Sequence, residues 1–300
     1  MTQDRELVVL GTASRAPTRE RNHNGYLLRW DGESVLFDPG EGTQRQLLLA
    51  GESAAGVDRI CITHLHGDHC LGLPGVLLNR HLHGRVEPLE VIAPAEDAGL
   101  VEQLIALTGE AAETAWVHAA EPGELVTPPP YRLVAAALDH TVPTLGYRLE
   151  EPDGRRMDPE ALAAFGIDGP DVQRLRDAGE LSVGGRTVHL DEVSEPRRGQ
   201  RVAVVMDTRR CDAAVELARD ADLLLIEATF LEEHAELAEP YGHITARQAA
   251  EIAVEAGARQ LVLTHFSQRY PDPERIRAEA AQVYPRVHVA ADLERLRVAP

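Results

Sequence analysis

Lysine is absent from this 300-residue chain: all 30 of its basic side chains are arginine. Any contact with phosphate must therefore be made by a planar guanidinium fork and not by an ammonium point charge. Cysteine is scarce as well. Cys61, Cys70 and Cys211 are odd in number and widely separated, so no disulfide framework is implied. No apolar run approaches the ~20 residues needed to cross a bilayer, and residues 1–6 contain no signal-peptide core. The expectation is a cytoplasmic protein with no membrane partner. Positive charge is short in bulk: the formal net charge is −19. That argues against generic nucleic-acid affinity and leaves a local basic surface, or bound divalent cations, to attract an anion.

What is present is concentrated in one stretch. The apolar run Ile60-Cys61-Ile62 opens into Thr63-His64-Leu65-His66-Gly67-Asp68-His69. A β-branched run ending in a polar cluster reads as a buried strand whose carboxyl end opens into a loop. In such a loop, successive side chains point to different sides of one small cavity. Neutral imidazole and carboxylate together are the donor set of a hydrolytic divalent metal site, zinc first. Leu71, Leu73, Val76, Leu77 and Leu78 follow at a spacing that suits a short helix, with Gly72, Pro74 and Gly75 disturbing its start.

The rest of the chain alternates strands and helices. Strands are expected at 7–11, 26–30 and 34–37, the last two joined by an Asp31-Gly32 hairpin turn. Residues 15–22 are too polar and turn-rich for an element. An amphipathic helix ends near Gly51, and a second covers 98–107 between strands at 89–92 and 131–134. After a strand at 145–149 the composition changes. From 150 to about 201 the chain is polar and Gly/Pro-punctuated, reading as an insertion with helices at 159–165 and 171–177. Strands return at 202–206, 223–226 and 260–264, with a helix at 246–256. The pattern predicts one domain of mixed sheets covered by helices.

Several of these strands end on an acid or a histidine: Thr63-His64, Leu138-Asp139-His140, Met206-Asp207-Thr208, Ile226-Glu227 and Thr264-His265. Sheets gather strand ends, so these side chains can converge although they are far apart in sequence. Asp38, Asp139 and Thr208 are candidates to orient them.

On these residues the chain resembles the metallo-β-lactamase fold, whose metal motif is His-x-His-x-Asp-His. Within that fold it is similar to the ribonuclease Z family, endonucleases that remove the 3′ trailer from precursor tRNA. The similarity rests on Leu10-Gly11-Thr12, on Pro17-Thr18-Arg19-Glu20-Arg21-Asn22 (the family's Pro-x-Lys-x-Arg-Asn loop, with Arg for Lys) and on the segment from Phe37 to Gln46. It rests also on Gly242-His243-Ile244-Thr245-Ala246 and on Leu263-Thr264-His265-Phe266-Ser267-Gln268-Arg269-Tyr270.

The resemblance implies an α/β fold, an αββα sandwich forming a single metallo-β-lactamase-like domain over 1–300, with 150–201 an inserted substrate-binding arm. It implies two zinc ions per chain, with manganese or another divalent metal as a substitute. His64, His66, His140 and Asp207 would hold one ion; Asp68, His69 and His265 would hold the other, with Asp207 bridging. Asp68 would orient or deprotonate the attacking water, and His243, paired with Glu227, would serve the leaving 3′-oxygen. Arg19, Arg21 and Asn22, with Gly169 and Pro170 at the arm's tip, are the implied substrate contacts. The implied partners are precursor tRNA and a second copy of the chain, whose site the arm would reach.

The chain departs from the family pattern at three places: Ile226 stands where the family has histidine, Ile244 where it has serine and Met206 where it has glycine. Between 150 and 180 there are nine acidic residues and four arginines, a poor phosphate clamp on electrostatic grounds. That imbalance favours the competing expectation, a small-molecule phosphodiesterase or arylsulfatase-type hydrolase of the same fold.

Overall fold

A computed structural model of the chain describes residues 5–126 and 131–298. Most of the N-terminal stretch read above for a leader lies outside the described residues. By Cα proximity the chain divides into two compact units, residues 1–150 with 201–300, and Glu151–Gln200.

The larger unit is built on two seven-stranded sheets. In the first, Arg295–Arg297, Arg5–Gly11, Gly25–Trp30 and Glu33–Phe37 pair antiparallel, and Arg59–Cys61, Leu89–Pro94 and Ala115–Ala120 continue in parallel. In the second, His288–Val289, Leu261–Thr264, Leu223–Glu227 and Arg201–Val205 are parallel, followed by antiparallel Leu145–Glu150, Arg132–Ala137 and Gly123–Val126.

Uninterrupted apolar runs give strands buried on both faces. Leu7 and Val9 point into the core between the sheets, together with Val202, Val204 and Leu225 of the second sheet. Their neighbours Val8 and Leu10 turn outward under the helices Thr43–Leu49, Leu73–Leu82 and Ala98–Ala106. In the second sheet Ala203, Val205, Leu224 and Ile226 face the helices Asp212–Ala218, Ala246–Ala256 and Pro273–Ala280. The order helix, sheet, sheet, helix is the αββα sandwich. Helix Ala246–Ala256 starts on a capping box, in which Thr245 Oγ1 accepts from Gln248 N–H and the Gln248 side chain accepts from Thr245 N–H.

The metal stretch is not a plain loop. Asp68 and His69 stand in a one-turn helix, Gly67–Cys70, and the next helix begins at Leu73 with Pro74 in its first turn. Strands Ala115–Ala120 and Gly123–Val126 were not expected, because they lie at sheet rims and carry no clean apolar alternation. Strand Arg132–Ala137 runs three residues beyond the expected one; pairing with Leu145–Glu150 overrides the weak strand propensity of Ala135, Ala136 and Ala137.

The smaller unit has its own small core of Leu162, Ile167, Leu175, Val188 and Val193. Its helices are Pro159–Ala164, capped by Asp158, and Pro170–Ala178. It also contains two hairpins that were not expected, Gly154–Met157 with Ser194–Arg197 and Glu180–Val183 with Arg186–His189. The second turns on Gly184-Gly185, both with positive φ, and that dipeptide between short alternating runs is a hairpin signal.

The metal stretch is tied to the second sheet by Leu145 N–H to Thr63 O at 2.9 Å and by the buried Tyr147 hydroxyl, which donates to Ile62 O at 2.7 Å. Tyr147→Phe leaves that buried carbonyl without its hydroxyl donor. It should lower stability by about 1–3 kcal/mol, read from the urea midpoint. An unchanged midpoint would mean that the contact does not hold the sheets together.

Candidate metal centre

The centre forms where the parallel strands of both sheets end, as ligand sites in open α/β sheets do. After Glu33–Phe37 comes Asp38, fully buried, whose Oδ1 accepts from Thr63 N–H at 2.7 Å and whose Oδ2 accepts from the Thr63 hydroxyl at 2.8 Å. Asp38 Oδ2 also lies 2.9 Å from His69 Nδ1. One carboxylate therefore sets both the entry of the metal stretch and the ring of His69, leaving His69 Nε2 to face inward. Gly40 admits the close approach that follows, since a Cβ there would lie 2.2 Å from the Asp68 carbonyl oxygen.

Two groups of donor atoms converge. In the first, His64 Nε2 lies 3.0 Å from His66 Nδ1, His66 Nδ1 lies 3.2 Å from His140 Nε2, and Asp207 Oδ2 lies 3.4 Å from His64 Nε2 and 3.8 Å from His140 Nε2. In the second, His69 Nε2 and His265 Nε2 are 3.2 Å apart, with Asp68 Oδ2 at 3.6 and 3.5 Å from them. Asp207 Oδ2 lies 3.4 Å from His69 Nε2 too, so one oxygen belongs to both groups.

Nitrogens facing one another at these distances share too few protons to be satisfied by hydrogen bonds alone. Four donors at 2.0–2.1 Å around a common cation would stand about 3.3 Å apart, close to the separations seen. Asp207 Oδ1 is buried and accepts no hydrogen bond among the described residues. The donors thus fit divalent cations, and their outer nitrogens are fixed in the manner of metal ligands. His140 Nδ1 donates to Gly242 O at 2.7 Å, and His265 Nδ1 lies 2.7 Å from Thr229 Oγ1.

Protonation differs between the two groups. Burial pushes the His64 and His140 imidazoles down to about 4, so both are neutral near pH 7. Burial opposes charge on His69 as well, but Asp207 and Asp38 outweigh it and hold the ring well above the ordinary histidine value. A cation entering there displaces a proton. Asp207 sits below the usual carboxylate range, because His265, His69 and His64 overcome the cost of burial; Asp68 does so by its hydrogen bond to His265 and the charge of His69.

Backbone strain collects at the same place. Among the described residues, seven non-glycine residues have positive φ, and Arg15, Asp38, Asp207 and His265 are four of them. Conformations of this kind cost about 1–3 kcal/mol each and persist where the surroundings dictate them.

Glu227 and His243 stand beside the second group. His243 Nδ1 lies 3.0 Å from Glu227 Oε1, which also accepts from Thr208 N–H at 2.8 Å, and Glu227 Oε2 accepts from the Thr229 hydroxyl at 2.6 Å. Burial lowers the His243 pKa, yet Glu227 prevails and raises it to about 9. The three family departures point elsewhere: Ile226 and Ile244 pack against the outer helices and Met206 fills the core between the sheets. Thr229 was not singled out in the sequence, though its place two residues after Glu227 at a strand end was a usable signal. Asp139 and Thr208 do not orient the donors as expected: among the described residues the Asp139 carboxylate pairs with Arg209 at 2.8 Å, and the Thr208 hydroxyl donates to Arg209 O at 2.7 Å and accepts from Asp139 N–H at 3.2 Å.

The expected substrate contacts behave differently from one another. Arg19 is exposed. Arg21 turns inward, donating to Tyr270 O at 3.1 Å with its guanidinium 5.1 Å from the centre of the Phe266 ring. Asn22 also turns inward, its amide donating to Glu41 O at 3.0 Å and His23 O at 3.1 Å. Both hold the loop in place. Gly169 has φ +50 and leads into the helix that Pro170 starts; both residues are exposed within the smaller unit.

Residues 18–265 match the model of the metallo-beta-lactamase superfamily. The chain is 55% identical over 298 residues to ribonuclease Z of Streptomyces coelicolor, covering 98% of each. It is 52% identical over 300 residues to ribonuclease Z of Nocardia farcinica, covering 99% of this chain and 98% of the relative. The crystal structure of the short form of human tRNase Z superposes with a TM-score of 0.71 at 26% identity, covering 98% of this chain and 100% of that one. A metallo-beta-lactamase fold protein of Bacillus subtilis gives the same TM-score at 21% identity, a likeness of fold alone. With relatives this similar along their whole length, the chain belongs to the metallo-beta-lactamase superfamily and, within it, to the ribonuclease Z family.

Proposed function

We propose that this chain removes the 3′ trailer from precursor tRNA as a two-zinc endonuclease. The observation that carries the reading is the pair of donor groups sharing Asp207 Oδ2, with the Glu227–His243 pair beside them. His64, His66, His140 and Asp207 would hold one ion; Asp68, His69 and His265, with Asp207, would hold the other. Zinc suits the nitrogen-rich donors best, and manganese or another divalent cation is the substitute. When bound, such a pair lowers the pKa of water and stabilises charge on the phosphodiester oxygens.

The chain's own groups then divide the protons. Asp68 Oδ2, held by Arg15 N–H at 2.6 Å, orients the attacking water and takes its proton. His243, its Nδ1 held by Glu227, has Nε2 left to give a proton to the 3′-oxygen as the phosphorus–oxygen bond breaks. The raised His243 pKa keeps that proton in place near neutrality. A small-molecule hydrolase would use the same atoms, but full-length likeness to ribonuclease Z proteins does not favour it.

The smaller unit would be the tRNA-binding arm, reaching from one subunit of a homodimer to the other's site. Arg155 is engaged by Ser194 and Asp191, and Arg174 by Asp171. Arg156 and Arg176 are exposed, with no ion pair among the described residues. Two such guanidiniums, with main-chain groups near Gly169 and Pro170, would make a sparse clamp on an acidic background.

Elemental analysis of protein purified with zinc should give about two ions per chain; a value near zero would end the enzymatic reading. Asp68→Ala should cost about 10²–10⁴ in turnover on every substrate. His243→Ala should cost a similar factor on precursor tRNA and far less on bis-p-nitrophenyl phosphate, whose leaving group needs no proton. Equal losses on the two substrates would remove His243 from the acid role. Deleting 165–175 should weaken precursor-tRNA processing through KM while sparing the small diester, and sedimentation at micromolar concentration should show a dimer. A monomer that processes precursor tRNA at full rate would refute the shared arm.

A further inference from the structure

Arg15 occupies an unusual position that the proposed chemistry leaves half used. Its backbone is in the left-handed region, φ +57, at the centre of a three-residue turn closed by Ala16 N–H to Ser14 O at 2.6 Å. Turns of this shape are rare and strained, and glycine is the residue they suit. The turn aims Arg15 N–H at Asp68 Oδ2, 2.6 Å away. That contact uses the main chain only, and glycine would make it without strain. Yet a long cationic side chain stands there.

The turn is rigidly placed. Ser14 N–H donates to Phe266 O at 3.0 Å, one residue from His265. The half-buried Asp292 accepts from the Thr12 hydroxyl at 2.8 Å and from Asn22 N–H at 2.6 Å, pinning both ends of the segment. Arg21 closes it further onto Tyr270. The Arg15 side chain leaves this framework exposed and enters no ion pair among the described residues. Most arginines of this acidic chain are paired, among them Arg59, Arg132, Arg197 and Arg295. Arg15 is thus a cation rooted beside the water-orienting carboxylate and directed outward.

We infer that Arg15 is a substrate-contacting residue whose guanidinium binds a phosphate of the RNA strand next to the scissile one, while its N–H positions Asp68. Guanidinium forks on phosphate give charge-assisted, paired hydrogen bonds, which would repay a strained backbone at a site where glycine would otherwise be favoured. The inference rests on the precursor-tRNA reading above, and its test separates the two.

The test uses the zinc-loaded full chain as wild type, Arg15→Gly, Arg15→Asn and Arg15→Lys. Asparagine tolerates positive φ without carrying charge, so it reports the loss of the guanidinium independently of glycine's flexibility. Precursor-tRNA affinity should fall about three- to tenfold in the Gly and Asn variants, and the slope of log affinity against log salt should flatten by about one. Lysine, which keeps the charge and loses the fork, should recover part of both. Melting temperature should be equal or higher in Arg15→Gly, and the loss on bis-p-nitrophenyl phosphate should be smaller than on precursor tRNA. Wild-type affinity and salt slope in the Gly and Asn variants would overturn the inference. So would a lowered melting temperature with equal losses on both substrates, which would make Arg15 structural. A wild-type enzyme that cleaves the diester and leaves precursor tRNA intact would instead overturn the reading on which this one rests.

Discussion

Charge buried at the junction of two sheets must be answered atom by atom, and that requirement shapes the centre. Asp38 and Asp207 are both essentially withdrawn from solvent. Asp38 has its two oxygens satisfied by Thr63 and His69. Asp207 is surrounded by His64, His69, His140 and His265, and one of its oxygens still lacks a hydrogen bond among the described residues. A carboxylate left like that in a core would cost several kcal/mol. It is tolerable where cations complete it, so the stability of this region and its capacity to bind metal are one property.

Other features follow from that constraint. The parallel strands end together and deliver donors from both sheets to a single point. The left-handed conformations at Asp38, Asp207 and His265 each fall just beyond a strand end. Thr229 links Glu227 to His265, so the Glu227–His243 pair and the second donor group share one hydroxyl. A disturbance at any of these positions would be felt at both.

Much of the fold was legible in the sequence where periodicity and burial agree. Leu7-Val8-Val9-Leu10 and Leu223-Leu224-Leu225-Ile226 are apolar without alternation, and both are strands buried on two faces. Ala115–Ala120 and Gly123–Val126 were not legible, since their place in a sheet comes from pairing and not from pattern. The site was legible as a list of donors after strand ends. Which nitrogen faces inward was not, because that is decided by partners such as Gly242 O and Asp38, which no spacing encodes. Arg21 and Asn22 look alike to Arg19 in sequence, yet they turn inward to hold the loop. Only the neighbouring carbonyls of Tyr270 and Glu41 reveal it.

The pairing of Arg5–Gly11 with Arg295–Arg297 bears on how the chain comes to be folded at all. Leu7 sits opposite Leu296, 289 residues away. During synthesis the earlier strand must wait for residues 295–297 to emerge before its outer edge is covered. Contacts of such long sequence separation form slowly, and an uncovered edge is a template for pairing with another nascent chain. His265, too, is made late, so a ribosome-bound fragment would carry most of the converging donor side chains with the set still open. Until Arg295–Arg297 is made, the outer edge of Arg5–Gly11 stands open to pairing with another chain.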